Sequence, residues 1–123
     1  MSEQVSYRRA LEELGALLSG RWVPAVLTAL AGGPLRFSDF IQEINEADPR
    51  GVQRKLTEKV LADTLRVLEQ ARLIANRRQS AAVGGSSYYE LTTHGKTFLQ
   101  ELRPAIKWAV HYINNSESTE HTT

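Results

Sequence analysis

A short helical pattern that runs at once into a two-strand ribbon limits most strongly what this chain can fold into. Residues 57–69 place leucines at steps of four and three, which is the spacing of a helix with one buried face. Thr57 is the predicted N-cap of this helix. Two strands are predicted next, at residues 74–79 and 88–91, on either side of a glycine-containing tip. A helix that leads directly into such a ribbon predicts an α+β fold, mostly α.

Four further helices and a short strand are predicted around this unit. Residues 7–18 and 21–31 form the first two helices, and the second is so apolar that it must be buried on most sides. Residues 35–37 can form a short strand before Ser38 caps the third helix. Thr92 is the predicted cap of the last helix, which runs for about 20 residues, or roughly 30 Å.

Length and composition indicate one globular domain. The chain has 123 residues, of which 41% are hydrophobic and 24% charged. We predict a single domain over residues 1–114 and a disordered polar tail over residues 115–123, which lack apolar anchors. No apolar run is long enough for a membrane span and no secretory pattern is present, so the predicted location is cytoplasmic, without a membrane partner.

The residue types that carry catalysis or bind metal are missing or badly spaced. The chain has no cysteine, which excludes disulfides, thiolate metal sites and thiol-based redox sensing. No nucleophile–base pair and no metal-ligand spacing appears. The sequence therefore predicts neither an enzyme nor a cofactor.

Positive charge is concentrated in one segment of a chain whose net charge is only +1. Residues 50–79 contain eight Lys or Arg and three Asp or Glu, whereas the segments on either side have net negative charge. Binding to phosphates needs such a local concentration of cations, whatever the overall balance. This segment holds the predicted helix and the first ribbon strand, so double-stranded DNA is the predicted partner, with the helix in the major groove.

Several exposed side chains of this segment suit contacts with DNA. Arg66 can bond a guanine edge or a phosphate, whereas Asp63 would repel phosphate and could instead accept from a cytosine amino group or hold Arg66 in place. Because strand neighbours alternate faces, only one of Arg77 and Arg78 should point at DNA unless the ribbon twists. The predicted contacts in this segment and at the ribbon tip are Arg54, Lys55, Thr57, Lys59, Ala62, Asp63, Arg66, Arg77, Arg78 and Ser86.

Short motifs along most of the chain stand in a recognisable order. They are Gly20-Arg21-Trp22, the segment Gly33 to Phe40, Lys59-Val60-Leu61, Leu65 to Glu69, Tyr89 to Thr92, and Gly95 with Trp108. Together they resemble the HxlR-type family of bacterial winged-helix regulators. The resemblance implies a winged helix-turn-helix with extra N- and C-terminal dimerisation helices, working as a homodimer on palindromic DNA. It also implies backbone contacts by Arg36 and Ser38 at the start of the third helix.

The chain departs from the family pattern in three places. It lacks the cysteine near the first helix with which members often sense oxidants, so that sensing mode is not carried over. The helix predicted at residues 57–69 corresponds to the recognition helix of the family, and the loop before it is longer than is usual in the family. The outer face of that helix carries Glu58, Ala62 and Asp63 in place of neutral or basic polar residues, which bears on the strength of DNA binding.

The last helix carries more apolar surface than one small core can use, which predicts pairing with a second copy. A twofold dimer would place two recognition helices about one DNA turn apart, roughly 34 Å. The predicted interface residues on the first and last helices are Leu11, Leu14, Leu99, Leu102, Ile106, Ala109, Val110 and Ile113.

Two other functions stay open from the sequence. A small-molecule effector is a candidate further partner, bound between the apolar second helix and the dimer helices, where it would change the spacing of the recognition helices. Alternatively the chain is a protein-interaction or ligand-sensing winged-helix module with weak or no DNA binding, which Asp63 and the modest net charge permit.

Overall fold

The computed structural model describes residues 5–46, 55–78 and 87–121, with side chains of the last helix described to residue 117. Within these ranges the chain forms five helices and one two-stranded antiparallel sheet. The elements in chain order are α1 (Tyr7–Leu18), α2 (Val23–Ala31), α3 (Phe37–Glu46), α4 (Glu58–Gln70), β1 (Ile74–Arg78), β2 (Ser87–Leu91) and α5 (Thr93–His121). The α+β, mostly α fold class that the sequence predicts is confirmed.

One hydrophobic core lies between α2, α3, α4 and the sheet. The apolar helix α2 contributes four buried residues, as its composition predicts, whereas α1 contributes none. Helix α4 turns its leucines inward and its charged residues outward. The buried residues are Val23, Val26, Leu27, Leu30, Phe40, Ile44, Leu56, Leu61, Leu65, Leu68, Leu73, Ile74 and Leu91.

Both ends of α4 are fixed by hydrogen bonds. Before the helix, the side chain of Asn45 accepts from the backbone N–H of Leu56 at 2.9 Å and donates to its carbonyl at 3.3 Å. Thr57 is the N-cap, as predicted, and its hydroxyl oxygen accepts from the N–H of Val60 at 3.3 Å. At the other end Arg72 takes the left-handed conformation with φ 65°, which turns the chain into β1. These interactions fix where α4 begins and ends, and they tie its start to α3.

The start of α5 is joined to the same corner. The Thr92 hydroxyl donates to the carbonyl of Arg72 at 2.7 Å and accepts from the N–H of Gly95 at 2.9 Å, so Thr92 caps α5 as predicted. The N–H of Thr92 donates to the Leu73 carbonyl at 3.0 Å. These bonds hold the end of α4, the beginning of β1 and the beginning of α5 together.

Three predicted element boundaries near the N-terminal half differ from the structure. Helix α2 begins at Val23 rather than at residue 21. The short strand predicted at residues 35–37 reduces to a single bridge between Leu35 and Tyr89, because the helix after it already starts at Phe37. Ser38 lies inside the first turn of α3 and is not its cap. Asp39 instead reaches back to the backbone N–H of Arg36 at 3.2 Å.

The last helix is longer than the sequence predicts. It continues past residue 114 to His121, where a disordered tail was expected from residue 115 onward. No glycine or proline interrupts residues 105–121, so each added residue continues the ladder of hydrogen bonds already started. Most of the predicted ribbon tip, residues 80–87, lies outside the described residues, and β2 begins at Ser87.

No single helix in the described ranges is long and apolar enough to cross a membrane. Helices α1 and α2 pass that test only as a pair, but they meet at a bend of 81°. The apolar residues of α2 lie in the core.

Candidate nucleic-acid interface

The outward ridge of α4, defined here as Lys59, Asp63, Arg66 and Gln70, lies opposite the buried leucines of the same helix. All four residues are exposed, and their steps of four, three and four keep them on one side of the helix. Because the cap at Thr57 and the turn at Arg72 fix both helix ends, the ridge is presented in one orientation. It brings together the three charged residues of α4 predicted to contact DNA.

Asp63 forms an ion pair with each of the two cations of the ridge. Its Oδ1 lies 3.1 Å from Nη1 of Arg66, and its Oδ2 lies 3.9 Å from Nζ of Lys59. The three side chains keep more than half of their surface exposed. Of the two roles considered from the sequence, the structure contains the one in which Asp63 holds Arg66 in place.

The flanks of the ridge differ from the sequence expectation. Ala62, predicted to contact DNA, is half-buried on one flank. On the other flank Val60 and Val67 are 38% and 47% exposed, and sequence reasoning missed both because a valine in a helix suggests the core. Exposed methyl groups on a helix that enters a major groove can contact the methyl group of thymine. A helical projection of α4 at 100° per residue places both valines beside the ridge and away from the buried leucines, and so would have identified them.

The N-terminal end of α4 offers polar groups beside the ridge. Lys55 and Thr57 are exposed, and the Thr57 oxygen that accepts from Val60 leaves its hydroxyl proton free to donate. The N-terminus of a helix also favours an anion through its backbone dipoles. Arg54, predicted as a further contact, lies outside the described residues.

Arg77 and Arg78 of the ribbon, which the sequence alone could not distinguish as DNA contacts, have different surroundings in the structure. Nε of Arg77 lies 2.6 Å from Oε2 of Glu90 on the neighbouring strand. Arg78 pairs in register with Ser87 at the open end of the ribbon and forms no ion pair within the described part of the chain. Arg78 is therefore the better placed of the two for a phosphate. Ser86, also predicted as a contact, lies outside the described residues.

The start of α3 presents the other predicted backbone contacts. Arg36 and Ser38 are both exposed, and the Asp39 side chain fixes the backbone between them. The Leu35–Tyr89 bridge ties this turn to β2 through two hydrogen bonds of 3.0 and 2.7 Å. The turn before α3 and the ribbon are thus joined in one structural unit.

Tyr89 packs in the middle of this unit. Its ring meets Phe40 edge to face at 6.0 Å, and its hydroxyl accepts from Nδ2 of Asn76 at 3.4 Å. Burial, and secondly the negative charge of Glu69, raise the pKa of the Tyr89 phenol above its ordinary value of 10.0. Tyr89 is therefore neutral at physiological pH and serves as packing between α3 and the ribbon.

Helices α1 and α5 carry apolar side chains that nothing in the described chain covers. On α5 the residues at 102, 106, 109, 110 and 113 form one stripe, in which Ile106, Val110 and Ile113 are each more than half exposed. On α1, Leu17 and Leu18 pack against the core, whereas the side chain of Leu11 is 69% exposed. Leu99, predicted as an interface residue, is partly buried and packs against the core of this chain, because the first turns of α5 still lie over the sheet.

A groove of about 410 Å³ lies between the end of α2 and the first turns of α5. Its apolar wall includes Leu30, Leu91 and Leu99, and its polar wall is formed by Glu90, Lys96 and Arg103. The Glu90 carboxylate is already paired with Arg77, whereas neither cation forms an ion pair with a described residue. The groove therefore presents two available positive charges beside an apolar surface.

Comparisons with known proteins agree with this architecture. The family model of HxlR-like helix-turn-helix proteins matches residues 17–117. A MarR-family transcriptional regulator from Enterococcus faecalis has the same fold at 17% identity and a TM-score of 0.74, covering 94% of this chain and 96% of that chain. The reduced form of the transcriptional regulator YodB from B. subtilis is 25% identical with a TM-score of 0.63, covering 86% and 92%.

A third similar structure is the transcriptional regulator ytfH from Salmonella typhimurium, at 23% identity and a TM-score of 0.64, covering 89% of both chains. No protein of curated function matches the chain in sequence.

Proposed function

The chain belongs to the HxlR-like helix-turn-helix family of transcription regulators, and we propose that it controls transcription as a homodimer bound to palindromic double-stranded DNA. The observation that carries the proposal is the outward ridge of α4, which presents Lys59 and Arg66 from a helix fixed at both ends. A major groove about 12 Å wide accepts one helix in this manner. The exposed Arg78 and the turn at Arg36 would then lie near the phosphates on either side.

The homodimer part of the proposal is supported by the uncovered stripes of α1 and α5. Three large aliphatic side chains of α5, each about half exposed, continue from a helix whose first turns are packed on the core. A contiguous apolar stripe of this kind is typical of a surface that meets another protein. Pairing with an identical stripe gives twofold symmetry, and twofold symmetry predicts an inverted repeat in the DNA.

Binding to DNA is tested with a duplex that the protein itself selects from a randomised pool. Wild-type protein is expected to bind the selected duplex far more tightly than a scrambled one, with affinity that falls steeply as salt rises. Arg66→Ala should weaken binding at least about 30-fold, because each half-site loses one charged contact to a base. Lys107→Ala, which removes an equal charge from exposed surface of α5, should change affinity little.

The opposite result would favour the protein-interaction alternative. If wild-type protein enriches no sequence from the pool and shows no binding to any duplex at low salt, the DNA-binding proposal fails. Equal losses for Arg66→Ala and Lys107→Ala would mean that general charge, rather than the ridge, attracts the duplex.

A second function is favoured by the groove between α2 and α5. We propose that it binds a small-molecule effector with an apolar body and an anionic group, which would meet Lys96 and Arg103. Its volume of about 410 Å³ lies within the usual range for small-molecule sites. Glu90 lines the groove and also holds Arg77 of the ribbon, so an occupant could alter the ribbon through one side chain.

The effector proposal is tested by thermal unfolding with a series of aliphatic and aromatic carboxylates. We expect apolar carboxylates at millimolar concentration to raise Tm by several degrees, and their uncharged amides to have no effect. The shift should disappear in the Lys96→Ala/Arg103→Ala double variant and persist in Lys107→Ala. A shift of equal size in the double variant, or none in the wild type, would contradict the proposal.

A further inference from the structure

Asp63 is the one feature of the outward ridge that opposes DNA binding. A carboxylate on a surface that approaches phosphates lowers affinity for any duplex. Its two ion pairs are exposed, and exposed ion pairs contribute little to stability. Neither general DNA affinity nor folding therefore accounts for an aspartate at this position.

The two oxygens of Asp63 are held unequally. Oδ1 accepts from Arg66 at 3.1 Å, whereas Oδ2 lies 3.9 Å from the Lys59 ammonium, beyond hydrogen-bond distance. The bond to Oδ1 uses one of five donors of the guanidinium and leaves the others able to bond a guanine. Oδ2 is thus free to accept a hydrogen bond from a base edge once Lys59 turns to a phosphate.

Building on the proposed DNA binding, we propose that Asp63 determines specificity by requiring cytosine at the base pair that it faces in each half-site. The cytosine N4 amino group is a donor in the major groove with no acceptor beside it on the same base. Thymine and guanine present the acceptors O4, O6 and N7, which repel a carboxylate. Adenine offers a donor next to an acceptor and is therefore second best.

Asp63 thus improves discrimination between DNA sequences and lowers the general affinity for DNA. On a wrong sequence the carboxylate meets acceptors or phosphates and weakens binding, while on the right one it gains a charged hydrogen bond. Arg66, kept in place by Oδ1, reads a guanine in the neighbouring base pair. The pair of residues therefore acts as one reading unit, and Asp63 both positions Arg66 and contacts a base.

The experiment compares duplexes selected from a randomised pool by wild-type protein and by Asp63→Asn. The asparagine keeps the size and the oxygen that accepts from Arg66, but adds a donor and loses the charge. Wild-type protein should enrich cytosine at one position of each half-site, and replacing it by thymine or guanine should weaken binding about tenfold or more. Asp63→Asn should lose the preference at that position alone and bind a scrambled duplex more tightly.

Glu69→Gln is the matched control, because it removes the same charge from the exposed surface of α4 but lies off the ridge. It should leave every base preference unchanged. If Asp63→Asn selects the same sequences as wild-type protein, the cytosine proposal is overturned while DNA binding stands. If wild-type protein selects no sequence at all, both proposals fail together.

Discussion

Gly95→Ala is expected to lower the free energy of unfolding by about 4 kcal/mol or more. A Cβ at this buried position would sit far inside the contact distance of the Leu73 carbonyl oxygen, and 3.0 Å from the carbonyl carbon. That carbonyl accepts from Thr92 at 3.0 Å, and the N–H of Gly95 donates to the Thr92 hydroxyl at 2.9 Å. Neither backbone can move away without breaking the corner that joins β1 to α5.

Urea unfolding followed by circular dichroism measures this effect, with Gly15→Ala as the control. A Cβ at Gly15, inside α1, would meet nothing within 4 Å, so that variant should gain about 0.5–1 kcal/mol from higher helix propensity. Both changes add one methyl group to a glycine in a helix. A Gly95→Ala protein as stable as wild type would mean that the corner yields more easily than its contacts indicate.

The parts of the fold that depend on local pattern could be predicted from the sequence. The leucine spacing of α4 identified the residues that are now found buried, because a helix repeats every 3.6 residues. The caps Thr57 and Thr92 were predicted because their hydroxyls bond backbone groups only three residues away. Such interactions need no knowledge of the tertiary structure.

Interactions between distant residues could not be predicted in the same way. The 2.6 Å pairing of Arg77 with Glu90 depends on the register of two strands, and this pairing separates the roles of Arg77 and Arg78. The need for glycine at position 95 comes from the close approach of Leu73. Leu99 fits the apolar period of α5, but only the position of the sheet shows that it packs against the core of the chain.

At the candidate DNA interface the sequence identified the helix and its charged residues but left two roles for Asp63. Asp63 could hold Arg66 or contact a base from the same position in the sequence. Only the side-chain conformations in the structure show that it is paired with Arg66 and Lys59 in the free protein. Ser38 shows a related ambiguity. Serine is a good helix cap, but α3 already begins at Phe37, and it is Asp39 in the first turn that bonds back to the N–H of Arg36, as the third residue of a capping box does.

The double substitution Ile106→Asp/Ile113→Asp is expected to convert the proposed dimer into a folded monomer. Both side chains are about half exposed and lie on the same stripe of α5, so the charges would not disturb the core of the subunit. In a dimer they would place four carboxylates in an apolar interface, where unpaired charges are strongly unfavourable. Sedimentation should then show one subunit, with a helical circular dichroism spectrum close to that of the wild type.

The affinity for DNA should also fall when the dimer is lost. A dimer that contacts two half-sites at once binds about 10²–10⁴-fold more tightly than one subunit on one half-site. The control is His111→Asp, which adds a charge to an exposed position on the opposite side of α5 and should leave both mass and affinity unchanged. A double variant that stays dimeric would move the interface away from α5. A monomeric variant that keeps full affinity would instead mean that one recognition helix binds alone, and an inverted repeat would no longer be required of the DNA.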